Sequence, residues 1–131
     1  MNCSLDEIYL NLITAIRSCP EFPENVAVHI GETDSRQSAM SIVVDLNLSK
    51  SKKTVCGEWI KIYDFDLYYQ ISTQTDNQKV NTFKFLNKLS DYLHSNYYKF
   101  NLDNINIMSS PKIMGKSSNG LDIYLTKFLI G

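Results

Sequence analysis

The stretch from Glu58 to Ser95 constrains the fold of this chain more than any other. Between Glu58 and Ser72 the odd positions Trp59, Tyr63, Phe65, Leu67, Tyr69 and Ile71 are bulky and apolar. The even positions Asp64, Asp66 and Gln70 are polar, and Lys61 is the single break in the apolar set. That alternation predicts one long strand with a buried face. After a polar turn, Val80, Phe83, Leu86, Leu89 and Leu93 recur at spacings of three and four. They predict a helix from Thr75 to about Ser95 whose apolar stripe lies across the strand. Thr75 and Gln78 have the spacing of a capping box, which gives the helix a defined start.

The remaining elements fall into place around this layer. Ser4 and Glu7 have a second capping-box spacing, and Leu5, Ile8, Tyr9, Leu12 and Ile16 form a helical face that should stop at Ser18 or Cys19, before Pro20 and Pro23. Val26 to Ile30 reads as a short strand, and Gly31 to Arg36 as a polar turn or loop. Met40, Ile42, Val44, Leu46 and Leu48 alternate with polar residues, only Val43 being out of phase, and predict a half-buried strand. The polar link Ser49 to Lys53, with Thr54 following, should return the chain antiparallel into the long strand. Asn96 to Asp103 forms the helix exit. Asn104 to Met114 contains Pro111 and reads as an edge strand or bulge. Ser118, Asn119 and Gly120 signal a turn, and Leu121 to Ile130 is apolar on both faces, which suits a central strand or an interface. The order α-β-β-β-α-β-β implies a single α+β domain over residues 1–131, a mainly antiparallel sheet with two main helices mostly on one face.

Composition excludes more than it specifies. Thirteen basic and 14 acidic residues give a net charge of −1, and all the basic residues but Arg17 and Arg36 are lysine. There is no global pull toward nucleic acid or an anionic membrane, and no bidentate arginine cluster for reading phosphate. No specific nucleic-acid binding is expected. Cys3, Cys19 and Cys56 are odd in number and lack metal-ligand spacing, which fits a reducing cytoplasm. The first residues lead directly into an acidic helix start with no signal-peptide pattern, and no stretch is apolar enough to span a membrane.

Candidate chemistry is sparse. Asp64 and Asp66 point to one side of a strand and could hold a divalent cation in a nuclease-like site, but a metal needs more oxygen ligands, and a solvated strand face explains them. His29 and His94 lie in no nucleophile pattern, and the glycines form no phosphate loop. No catalytic residue, metal or cofactor is expected. Lys50, Lys52 and Lys53 could touch a phosphate backbone or an acidic protein surface, and a solvated hairpin loop explains them as well. Trp59, Tyr63, Tyr69, Tyr124 and Phe128 belong to an aromatic surplus that suggests either self-association or a tyrosine-rich core.

The N-terminal helix beginning Leu5-Asp6-Glu7-Ile8, the strand Tyr63 to Ile71, the helix Asn77 to Leu93 and the closing strand Asp122 to Phe128 carry a resemblance. In length and order of elements the chain resembles the tail terminator proteins of long-tailed phages and prophages of Gram-positive bacteria, often called minor capsid proteins. The resemblance implies a non-enzymatic structural protomer that forms a ring, commonly a hexamer, which caps the tail tube and meets the head connector. Its partners would be further copies of itself, the tail tube protein and the head-tail connector protein. It would assemble in the host bacterial cytoplasm and end at the head-tail junction of the virion. Lys50, Lys52, Lys53, Trp59, Tyr63, Tyr69, Tyr124 and Phe128 are the candidate subunit or tube contacts. A head-tail connector component, a tail assembly chaperone, a small adaptor module outside phages and an Asp64/Asp66 hydrolase are the competing readings.

Overall fold

The computed structural model describes residues 4–31, 40–117 and 120–131. Helix α1 (Leu5–Arg17) is followed by strands β1 (Ala27–Ile30), β2 (Ser41–Lys53) and β3 (Trp59–Ile71). Helix α2 (Asp76–Asn96), a 3-10 turn at Tyr97–Phe100, and strands β4 (Ile105–Ile107), β5 (Lys112–Lys116) and β6 (Asp122–Ile130) complete the chain. The fold is α+β. Among the described residues six strands form one open sheet in the order β1-β2-β3-β6-β4, with β5 also paired to β6. Every pairing among them is antiparallel except β1 with β2, which is parallel.

Both helices cover the same sheet face. Ile8, Leu12 and Ile16 of α1 and Leu86, Leu89 and Leu93 of α2 join one core with Ile42, Val44, Phe65, Leu67, Tyr124 and Phe128. The Tyr9 ring meets Phe65 edge-on at 5.4 Å, and Phe65 stacks on Phe128 at 5.7 Å. Phe83 and Phe85 of α2 pack edge-on against Tyr124 and Tyr69. The α2 stripe therefore begins at Phe83, and Val80, one turn earlier, is exposed. Gln78 N–H donates to Thr75 Oγ1 and Thr75 N–H to Gln78 Oε1, both at 3.2 Å, so the expected capping box forms. Ser4 is the N-cap of α1 but makes no side-chain cap bond to the backbone. Its hydroxyl bonds the Asp6 carboxylate instead and lowers that group's pKa.

Three expectations need correction. The segment expected as one edge strand, Asn104 to Met114, is two strands, so the order of the described elements is α-β-β-β-α-β-β-β. Pro111 has no amide hydrogen to give to a ladder, and pairing lapses on its N-terminal side. Met108 N–H bridges that gap by donating to the Lys127 carbonyl at 2.8 Å, and Lys127 N–H donates to Ser109 Oγ at 3.3 Å. Next, Ser49 to Lys53 is not a link but the end of β2, with Lys50 opposite Ile62, Lys52 opposite Ile60 and Lys53 opposite Trp59. The turn lies further on, where Thr54 N–H donates to the Glu58 carbonyl at 2.7 Å and Gly57 takes a positive φ of 85°. Lysine and serine suit a strand whose two faces are both in water, and polarity alone misplaces such a strand in a loop. Finally, the phase of β2 does not run unbroken, because a bulge between Leu46 and Leu48 puts Asn47 out of the ladder. The expected loop beyond Gly31 and the turn residues Ser118 and Asn119 lie outside the described residues.

The closing strand β6 is central, between β3 on one side and β4 and β5 on the other, as its two apolar faces imply. No described helix is long and apolar enough to cross a membrane.

Candidate functional site

Among the described residues, the far half of the β2–β3 hairpin projects beyond the sheet's other strands. β1 pairs with β2 only over Ser41 to Val44, and β6 reaches β3 only from Tyr63 onward. Lys50 to Lys53 and Trp59 to Ile62 thus form a two-stranded arm that projects from the sheet with both edges unpaired among the described residues. Trp59 is 69% exposed, Ile60 39%, and Val55 at the tip is fully exposed. The ribbon has two different sides. Residues directly opposite in an antiparallel pair share a face, so Lys50, Lys52, Ile60 and Ile62 lie on one side. Lys53, Ser51, Trp59 and Lys61 lie on the other, with Lys53 Nζ 6.0 Å from the Trp59 ring centroid.

Of the residues expected at contacts, Lys50, Lys52, Lys53 and Trp59 are brought together on this arm and are exposed. The other four are not. Tyr63, Tyr69, Tyr124 and Phe128 point to the helix-covered side of the sheet and are buried, Tyr124 completely. They form the protomer's own core and, in the chain as folded here, offer no surface to a partner. Burial, with a smaller contribution from neighbouring Tyr124, pushes the Tyr69 phenol up to about 12, so it stays protonated at any ordinary pH.

At the root of the arm, the sheet face away from the helices carries an acidic group. Asp45 sits directly opposite Asp66, and Asp64 follows two residues along on the same side of β3. Lys127 of β6 is opposite Asp66 on the other flank, its Nζ 3.6 Å from the carboxylate. Tyr68 donates its hydroxyl to Asp66 at 3.3 Å. Burial raises the Tyr68 pKa, and the charge of Asp66, its hydrogen bond and the charge of Asp45 raise it further. The expected solvated face is therefore half right: Asp64 is partly exposed, whereas Asp66 is buried beneath its neighbours. Among the described residues no group of three or more His, Cys, Asp or Glu side chains is arranged to hold a metal ion.

The other titratable groups serve the fold. His94 bonds through Nδ1 to the Ile105 carbonyl at 2.6 Å and ties the end of α2 to β4, while His29 is exposed on β1 at the opposite edge. Asp122 is buried, accepts a hydrogen bond from Thr73 and pairs with Lys116 at 3.1 Å. Burial pushes its carboxyl up. The hydrogen bonds from Thr73 and Lys116 and the charges of Lys116 and Lys79 outweigh that and hold it below the usual carboxylate value. Burial, aided by Glu21, pushes the Cys19 thiol up, which keeps it unreactive. A cleft of about 490 Å³ lies between the start of α2 and the end of β3. Of its two lysines, Lys84 and Lys88, Lys88 is paired with Glu21 at 2.7 Å.

Sequence reading missed Asp45, Lys127 and the Thr73–Asp122–Lys116 cluster. Counting rungs outward from the Thr54–Glu58 turn finds the Asp45–Asp66 pair once the Asn47 bulge is allowed for. Nothing local in the sequence marks Lys127 or Thr73, because their partners come from strands far along the chain. No family model matches the chain, and no curated protein matches it.

Proposed function

We propose that this chain is a structural protein of a long-tailed phage or prophage virion, a tail terminator whose copies close into a ring on the finished tail tube and present a surface to the head connector. The number of copies implied by the resemblance is six. The observation that carries the reading is the arm. A ribbon with both edges unpaired is marginal in water as an isolated unit, so its length and its exposed Trp59, Ile60 and Val55 are suited to a partner surface. Among the described residues the sheet edges at β1 and at β4 and β5 carry no further strand, which gives the same protomer further places for neighbours, as a ring and a tube end require. Its role in this reading is assembly, without a chemical step.

The test is electron microscopy of particles made after the gene is deleted from the phage or prophage that carries it, with the gene supplied in trans as the control. Overlong, irregular tails unattached to filled heads, corrected by the supplied gene, are the expected result. Tails of normal length on intact particles would overturn the reading.

A further inference from the structure

We infer that the arm is a self-association element: the side of the ribbon carrying Lys50 and Lys52 seats on the acidic root, Asp45 and Asp64, of a second copy of this chain. Arm and root lie on one continuous face of the β2–β3 ribbon, basic toward the tip and acidic toward the body. Such a face is complementary to itself when one copy is laid tip over root on another. Within one chain Lys52 and Asp45 do not meet, and Lys50, one diagonal step from Asp64 on the ladder, forms no ion pair with it among the described residues. Lys52 and Asp45 are seven positions apart along β2, roughly 23 Å at about 3.3 Å per residue. No ion pair among the described residues engages Lys50, Lys52, Asp45 or Asp64, and Lys127 is the cation that approaches the root, at 3.6 Å from Asp66. Ile62 and Ile60 lie directly opposite Lys50 and Lys52 on the seating face, Ile60 39% exposed, and supply the apolar surface such a contact covers.

The occupant is a second copy because this chain itself carries both halves of the charge pattern, and in that choice the inference rests on the ring reading. A one-way seat, arm to root and onward, repeats from copy to copy and closes into a ring where the rotation between copies divides a full turn, and otherwise runs on as an open filament. A reciprocal seat stops at a two-fold pair.

The experiment is analytical ultracentrifugation of the full chain up to about 1 mM. The wild type is expected to associate, and to dissociate in 1 M salt, where screening acts over about 3 Å. Lys50→Glu with Lys52→Glu, both on the exposed arm, should weaken association at least ten-fold with the circular dichroism unchanged, and adding Asp45→Lys and Asp64→Lys to the same chain should restore it. In a Cys56→Ser background, Lys52→Cys and Asp45→Cys on separate chains should form a disulfide only when mixed. The in-chain span is far beyond disulfide reach, so a bond between these positions reports the seat directly. A wild type that stays monomeric, or an arm variant that associates as the wild type does, overturns the contact. The two failures are separable. A two-fold pair in which that engineered disulfide forms supports the seat and counts against the ring, whereas abnormal tails on gene deletion with no effect of the arm charges keep the tail-cap reading and overturn the seat.

Discussion

The hydroxyl of Tyr9 on α1 accepts a hydrogen bond from the backbone N–H of Leu46 at 2.9 Å, at the residue where β2 is about to lose register. On one side of this bond β2 belongs to the packed sheet. Beyond it the bulge at Asn47 begins the arm. The bond satisfies an amide beside an irregular ladder, and it fixes the helix to the point from which the arm projects.

Tyr9→Phe keeps the ring against Phe65 and removes only the acceptor. It should cost about 1 kcal/mol, the usual penalty for a part-buried donor left unpaired. A lower urea midpoint with an unchanged slope, and faster amide exchange at Leu46 than at Val44, are the expected readings. Unchanged exchange at Leu46 would mean the bulge holds itself without α1.

Asp45 and Asp66 face each other across the ladder, an arrangement that destabilises a sheet unless a cation stands by. Lys127 stands by, partly exposed, so solvent screening limits its worth. Lys127→Met should lower stability by about 1 kcal/mol, and Asp66→Asn, which removes the opposition itself, should cost less. Chemical denaturation of the two variants side by side decides this. A larger loss for Asp66→Asn would show that the Tyr68 hydrogen bond, and not charge, dominates at that rung.

These relationships explain how far the sequence could be read. The long strand, its helix and the capping box at Thr75 were legible because each depends on neighbours within a few residues. The extension of β2 through Lys53 was not, since loop and uncovered strand share a polar composition, and only pairing distinguishes them. The four buried aromatics show the opposite failure. Tyr63, Tyr69, Tyr124 and Phe128 carry the residue types of an interface, but two helices on one sheet face enclose them, and that enclosure is a tertiary fact. On the arm, Lys50, Lys52, Lys53 and Trp59 are exposed, as a polar or aromatic surface stretch is expected to be.

The Tyr69 phenol titrates at about 12 in the folded protein against about 10 when unfolded. The folded state therefore holds a proton that the unfolded state releases first, and the associated stability is complete below pH 10 and is lost as pH rises toward 12. Tyr69→Phe has no such proton to lose. Its unfolding free energy should fall less steeply than the wild type's between pH 10 and 12, in urea titrations at stepped pH. Parallel curves would place the alkaline loss elsewhere.

Trp59 is the single tryptophan and lies on the side of the ribbon opposite Lys50 and Lys52, so its emission distinguishes the two sides of the arm. In the isolated protomer the indole should emit as a water-exposed ring and be readily quenched by acrylamide. Trp59→Ala should change stability by no more than about 0.5 kcal/mol, because it touches little beyond Lys53. Self-association through Lys50 and Lys52 turns the indole away from the seat and should leave its emission in place. If the proposed tail-cap role holds and the Trp59 side meets the tube, a blue shift with loss of quenching is expected only when tail tubes are added. A shift that accompanies self-association alone would put the Trp59 side, and not the lysine and isoleucine side, in the contact between copies.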